Sequence, residues 1–118
     1  MNVRRKITVL VMATALTAGL AAIGFPASAA DCGVRSDRRL YCDHKAGAKG
    51  YEQRSYQSVS KGQLGGTFDW FECWGHGDPH AGGNNIWYWT QLDNGSWGNV
   101  PAFDVSSPVD PAPGLREC

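Results

Sequence analysis

The chain has 118 residues, with 11 basic and 11 acidic side chains, 15 glycines, 6 prolines and 4 cysteines. The leader described next contains three of the basic residues, so the remaining chain has 8 basic and 11 acidic residues, a net charge of −3. A mature chain of about 88 residues is one small domain, and its acidity disfavours nucleic acid as a partner, since phosphate neutralisation supplies most of that affinity.

Residues 1–30 have the order of a secretory signal peptide. Three basic residues precede an apolar run over residues 7–25, and an Ala-Ser-Ala cleavage site follows at 27–29. A membrane span is the alternative, but threonines and glycines interrupt the run, and Pro26 with small residues follows it at once. We therefore predict a secreted protein that has no membrane contact once the signal peptide is removed.

All four cysteines, Cys32, Cys42, Cys73 and Cys118, lie in the mature part. An even number in a small exported domain indicates two disulfides, because so short a chain buries little apolar surface. Of the three possible pairings we favour Cys32–Cys42, which closes a local loop, and Cys73–Cys118, which ties the C-terminal tail to the body. A zinc site is the alternative, but these cysteines lack close C-x-x-C spacing.

The mature chain has no long apolar pattern of period 3.6, and turn residues divide it into short segments, which indicates an all-β fold with long loops. Residues 31–50 are predicted to form a disulfide hairpin, turning at 36–37, and a loop. Residues 51–118 are predicted to form the β domain with its C-terminal tail. Within it, residues 51–59 are expected to be extended and residues 61–66 to form turns.

The segment 67–74 has the alternation of a strand. It places Phe71 and Cys73 on one face and Trp70 and Trp74 on the other. If Cys73 is in a buried disulfide, Phe71 points inward with it and the two tryptophans point outward.

A second alternating segment covers residues 86–92. It places Tyr88 on the inner face with the neighbouring aliphatic residues, and Trp87 and Trp89 on the outer face. The Asn94-Gly95 pair that follows favours a type I′ hairpin, and the return strand is expected to begin at Trp97.

The run WYWTQLDNGSWGNVPAFDV resembles the end of a bacterial SH3-like domain, with an aromatic strand, a tight turn, a G-W-V-P-type strand and a helical turn. Together with FECWGHGDPHAGGNNIWYWT it is similar to small exported SH3-like proteins of actinobacteria, over about residues 50–106. The chain has Asn99 where that family has tryptophan, and Phe103-Asp104 where it has tyrosine. The resemblance implies a small five-stranded barrel used as a binding module, in bacteria often for cell-wall peptide or glycan.

The aromatic residues allow two interpretations. A small domain needs large side chains for its core, so most of the tryptophans and tyrosines are candidates for that role. Alternation also leaves one face of each strand uncommitted, where flat indoles beside amides suit a sugar or a peptide. We therefore predict a ligand-binding face made by Trp74, Trp87 and Trp89, with Asn84 and Asn85 at its edge.

A metal site is a weaker candidate. His76, Asp78 and His80 occupy every second position and converge on Zn²⁺ or Cu²⁺ if the segment is extended. The intervening glycines and proline indicate an irregular loop instead, so we predict neither a metal nor another cofactor.

Catalysis has little support, since pairing leaves no spare thiol and no serine lies in a nucleophile-elbow context. We expect a monomeric, non-catalytic binding module whose partner is a cell-wall component or a secreted protein. The alternative is an inhibitor of trypsin-like proteases, in which the Cys32–Cys42 loop presents Arg35, Arg38 and Arg39. A loop fixed by a disulfide binds tightly because it loses little entropy.

Overall fold

Residues 32–118 are described by the computed structural model; the signal peptide predicted for residues 1–30 lies outside them. In the described part no α-helix is assigned, and no helix is long and apolar enough to cross a membrane. The strands are β1 (Gly33–Val34), β2 (Leu40–Asp43), β3 (Lys49–Tyr51), β4 (Ser60–Gln63), β5 (Phe68–Phe71), β6 (Cys73–His76), β7 (Ile86–Gln91) and β8 (Trp97–Pro101).

These strands form two antiparallel sheets, one in the order β1-β2-β5 and the other in the order β4-β3-β8-β7-β6. Because Glu72 alone separates β5 from β6, one stretch of chain passes from the first sheet into the second. A 3₁₀ turn over Ala102–Asp104 follows β8, and Val105 then pairs with His44. The prediction of an all-β fold with short strands is confirmed.

The hydrophobic core draws on both sheets. Leu40, Cys42 and Phe71 come from the first sheet, and Tyr88 and Val100 from the second. Each is fully buried, and burial of a large apolar side chain contributes roughly 1.5–3 kcal/mol. The N-terminal hairpin therefore shares its core with the rest of residues 32–118.

Both predicted disulfides are present. Cys32 is bonded to Cys42 across β1 and β2, and Cys73 is bonded to Cys118, which fixes the C-terminal tail to β6. No free cysteine occurs among residues 32–118. Two disulfides indicate an oxidising, extracellular environment.

His44 is a buried polar residue that follows β2 at one end of the first sheet. Its Nε2 lies 2.9 Å from the Asp69 carboxylate, and its Nδ1 lies 2.9 Å from the carbonyl oxygen of Lys45. Each ring nitrogen therefore has an oxygen of the domain within hydrogen-bond distance.

Two segments after β3 differ from the prediction. Residues 52–59 form a loop rather than an extended segment, because the side chain of Ser58 accepts a hydrogen bond from Gln53 N–H and the Ser58 N–H bonds to Ser55 O. Residues 60–63 form β4 rather than turns, because they pair with β3.

The hairpin between β7 and β8 is confirmed, but its turn is not of type I′. That type needs positive φ at both central residues, and here Asn94 has no positive φ while Gly95 has φ +89°. Gly95 N–H donates to Leu92 O and Leu92 N–H to Ser96 O. The connection is a three-residue loop with glycine in the left-handed position.

The alternation predicted for residues 67–74 is interrupted at Glu72. Phe71 lies in the core, whereas Cys73 is paired with Trp89 and Trp74 packs against the core beside Tyr88. The outward position predicted for Trp74 is therefore wrong. The physical reason is that the chain changes sheets here, so alternation within one sheet does not extend across Glu72.

Candidate ligand-binding cleft

Trp87 lies on the outer face of its strand, as alternation predicts, yet it is 0% exposed. Tyr51 and Tyr56 pack edge-on against its indole, at ring distances of 6.1 and 5.3 Å, and its Nε1–H donates to Asp78 O at 2.9 Å. The predicted exposure of Trp87 is therefore wrong. The loop of residues 52–59, together with β3, covers this part of the outer face.

Asn99 fixes the start of that loop. Its side chain is buried on β8, and its Nδ2 donates to the carbonyl oxygens of Tyr51 and Glu52, at 3.1 Å each. A tryptophan at this position has no such pair of donors. Asn99 thus holds the start of the loop over the outer face of the sheet.

The other predicted residues do not form one face. The Trp74 Nε1–H donates to Leu115 O at 3.0 Å, under the C-terminal tail. Asn84 accepts a hydrogen bond from Ile86 N–H at 2.8 Å, and Asn85 Oδ1 lies 3.0 Å from His76 Nδ1. These amides order their own loop, so the structure does not join them to Trp89.

Trp89 instead belongs to a cluster of indoles on the outer face of β7 and β8. Its ring is stacked with that of Trp97, with centroids 5.7 Å apart and an interplanar angle of 27°. Trp70 contacts Trp97 edge-on at 5.6 Å. All three indoles are half-buried.

Trp89 and Trp97 line a cleft of about 960 Å³, which we call the tryptophan cleft. Cys73 and Asn99 also line it from the strands, residues 52–55 from the loop, and Arg116 and Cys118 from the tail. Clefts of this volume hold small ligands or segments of polymers. The remaining lining residues are Glu72, His76 and Asp78.

Charged side chains surround the indoles. The Glu72 carboxylate accepts from Arg39 at 2.9 Å and from Arg116 at 3.3 Å, so both of its oxygens are engaged. Arg54 lies over Gly75, where any Cβ would collide with its guanidinium, and its Nη1 donates to His76 O at 3.3 Å. These contacts orient polar groups around an aromatic base.

The weak metal candidates do not converge. His80 Nε2 lies 2.9 Å from Ile86 O and must donate, while its Nδ1 accepts from Gly82 N–H at 3.2 Å. Neither nitrogen of His80 is then free for a metal. No cluster of three or more potential ligands occurs among residues 32–118.

The arginine loop is a tight turn. Arg35 N–H donates to Arg39 O and Arg38 N–H to Arg35 O, and Arg38 has φ +71°. The Arg39 guanidinium lies 4.0 Å from the centre of the Trp70 ring and pairs with Glu72. Of the three arginines proposed for protease binding, Arg39 is thus committed to contacts within the domain.

A second, smaller hollow of about 270 Å³ is lined by Tyr51, Tyr56 and Phe103, with Lys45 and Asp104. Burial raises the pKa of the Asp104 carboxyl and that of the Tyr56 hydroxyl. Phe103 is 51% exposed and supplies an aromatic residue outside the tryptophan cleft.

Sequence reasoning missed Trp70 and Trp97 as site residues. The hairpin register pairs Trp97 with Gln91 and thereby places it on the same face as Trp89. Counting residues outward from the turn along both strands therefore predicts that Trp97 and Trp89 share a face. The contact between Trp97 and Trp70 joins the two sheets, and no local sequence pattern predicts it.

The sequence matches no protein-family model, and no curated protein or solved structure is significantly similar to it.

Proposed function

We propose that this chain is an exported, monomeric, non-catalytic binding domain that holds a cell-wall peptide or glycan in the tryptophan cleft. The observation that carries the proposal is the stacked Trp89–Trp97 pair, half-buried in a cleft of about 960 Å³. Indoles present a flat apolar face with a polar edge, and such faces suit sugar rings and extended peptides.

The polar groups around this pair favour recognition over a purely structural role. Within one cleft, Gln53 and Ser55 supply amide and hydroxyl groups, and Arg54 and Arg116 supply guanidinium donors. A ligand site needs such a mixture, since apolar contact supplies affinity and a few placed polar groups supply orientation.

An SH3-like relationship is part of the proposal. The order of β7, a tight turn, β8 and a 3₁₀ turn supports it, because that is the order expected from the resemblance. Such domains customarily bind without catalysis. The two disulfides support export, since they need an oxidising compartment.

A pull-down of the mature protein on purified peptidoglycan, chitin and cellulose tests the proposal. Trp89→Ala and Trp97→Ala should each lower retention at least tenfold, because each removes one ring of the stacked pair. Phe103→Ala is the matched control, since it deletes an exposed aromatic side chain outside the cleft. Equal losses in all three variants, or no retention of the wild type, would refute the proposal.

Inhibition of a trypsin-like protease is measured on the same preparations. A binding domain of the proposed kind leaves the protease active at concentrations that saturate the polymer. Inhibition that disappears in Arg38→Ala/Arg39→Ala but persists in Trp89→Ala would favour the inhibitor alternative.

A further inference from the structure

The smaller hollow of about 270 Å³ has aromatic residues of its own. Tyr51 lines it from β3, Tyr56 from the loop of residues 52–59, and Phe103 from the 3₁₀ turn. We call it the aromatic hollow. It shares no lining residue with the tryptophan cleft, so the two can be tested separately.

Two of these rings are open to solvent. Phe103 is 51% exposed and Tyr56 is 46% exposed. Within residues 32–118 no other ring packs against Phe103. In the same part of the chain no guanidinium or ammonium group lies over any of the three rings. The aromatic hollow therefore offers ring surface that a ligand can cover.

The Asp104 carboxylate lies among these rings without an ionic partner. Its backbone oxygen accepts from Lys45 N–H at 2.8 Å, but its carboxylate forms no ion pair with a residue of 32–118. Burial raises the pKa of the Asp104 carboxyl, and the nearby Lys45, His80 and His44 act in the opposite direction. A partly desolvated anion is costly when it is unpaired, and a cation bound in the hollow would pair with it.

Two lysines complete the charged lining. Lys45 and Lys49 are exposed, and neither forms an ion pair within residues 32–118. A ligand that carried only a positive charge would be repelled by these two ammonium groups. The lining therefore fits a ligand that carries a cation for Asp104 and an anion for the lysines.

We infer that the aromatic hollow binds a small zwitterion with a methylated ammonium group. The cation lies against the rings and Asp104, and the anionic group pairs with Lys45 and Lys49. Aromatic rings attract cations, and a fully methylated ammonium has no N–H donor left unsatisfied when it leaves water. The volume lies just below the range of about 300–1,000 Å³ for larger ligands, which suits a group of this size. This inference does not depend on the proposed function.

Amide chemical shifts, followed by NMR during a titration, measure both the affinity and the place of binding. The probes are glycine betaine, tert-butylacetate, in which carbon replaces the charged nitrogen, and choline, which lacks the carboxylate. Betaine should bind about tenfold more tightly than either and should shift the amides of residues 45–51 and 103–105. Equal binding of betaine and tert-butylacetate would overturn the inference.

Variants test each part of the hollow. Asp104→Asn should remove the preference for betaine over tert-butylacetate, and Lys45→Gln/Lys49→Gln the preference over choline. Phe103→Ala should weaken betaine binding about fivefold or more. Phe68→Ala, which deletes an exposed phenylalanine outside the hollow, should leave betaine binding unchanged. Preferences that persist in the charge variants would contradict the inference, and thermal melting checks that each variant is folded.

Saturating betaine should leave retention on the polymers unchanged, because the two sites share no lining residue. Displacement of the protein from a polymer by betaine would place betaine in the tryptophan cleft, which would overturn the inference and leave the proposed function standing. Betaine binding in the hollow without retention on any polymer would refute the proposed function alone. Co-sedimentation with phosphatidylcholine vesicles then distinguishes a lipid headgroup from a free solute as the source of the zwitterion.

Discussion

Tyr88 is the buried residue at which β7 meets the C-terminal tail. Its hydroxyl donates to Asp110 Oδ1 at 2.6 Å and accepts from Ala112 N–H at 3.0 Å. Burial, followed by the hydrogen bond to Asp110, raises the pKa of Tyr88 far above its ordinary value of 10.0. The folded state therefore keeps a proton that the unfolded chain releases above about pH 10.

We expect Tyr88→Phe to lower the free energy of unfolding at neutral pH by about 1–3 kcal/mol, because Asp110 and Ala112 lose a buried partner. In the wild type the folded state binds more protons above about pH 10, so its stability falls as the pH rises. Tyr88→Phe has no titratable hydroxyl at this position, so its stability should fall less steeply as the pH rises. Urea unfolding at several pH values between about 8 and 11 measures both effects. If the stability of the wild type and that of the variant fell equally steeply with pH, the raised pKa of Tyr88 would be contradicted.

Gly75 and Gly77 form a matched pair for a second prediction. An added Cβ at Gly75 meets the guanidinium end of Arg54, which can move away, so Gly75→Ala should cost less than about 1 kcal/mol. An added Cβ at Gly77 meets the Arg54 backbone and Trp87 Cδ1, so Gly77→Ala should cost about 1–3 kcal/mol. Chemical denaturation of both variants gives the comparison. A larger loss for Gly75→Ala would show that Arg54 is held more rigidly than its contacts imply.

At the level of elements, β7 shows how one strand face is divided between core and site. Trp87 and Trp89 point the same way, but the loop of residues 52–59 covers the first and leaves the second at the cleft. Trp87→Ala should therefore lose about 3–5 kcal/mol of stability, as for a core aromatic. Trp89→Ala should lose clearly less while weakening retention on the polymer. Equal stability losses, measured by urea unfolding, would mean that Trp89 is also a core residue.

The same strand shows what local sequence can predict. Alternation placed Tyr88 inward and Trp87 and Trp89 outward, and the cross-strand pairs with β8 agree. Burial of Trp87 depends on a polar loop about thirty positions earlier, held by Asn99, and such a contact leaves no periodic signal. Of the residues that line the tryptophan cleft, the sequence therefore predicted only Trp89 as part of a ligand-binding face.

The break in alternation at Glu72 also depends on a contact that is distant in sequence. Its N–H donates to Trp89 O, so the chain already pairs with the second sheet where alternation still suggested the first. Residues 68–71 and 73–74 are strand, as predicted, but they belong to two strands separated at Glu72, and the predicted direction of Trp74 was wrong. Alternation predicts on which face of a sheet a side chain lies. It does not predict the residue at which the chain passes into another sheet.

At the scale of the whole molecule, the two disulfides should differ in their contribution to stability. Their sequence separations are 10 and 45 residues, and loop entropy then favours Cys73–Cys118 by about 1.3 kcal/mol. Each bridge can be isolated by replacing the other pair with alanine and comparing the oxidised and reduced forms in urea. The loss on reduction should be larger for the variant that retains Cys73–Cys118. Equal or inverted losses would count against the entropic account.

The Cys73–Cys118 bridge also determines when the tryptophan cleft is complete. Both of its cysteines line the tryptophan cleft, and the tail that carries Arg116 is fixed to β6 through it. The lining of the tryptophan cleft is therefore completed by an oxidation step. A chain still in a reducing cytosol carries the same tryptophans without the finished cleft around them. Under the proposed function, competence to bind therefore arises only once this bridge has formed.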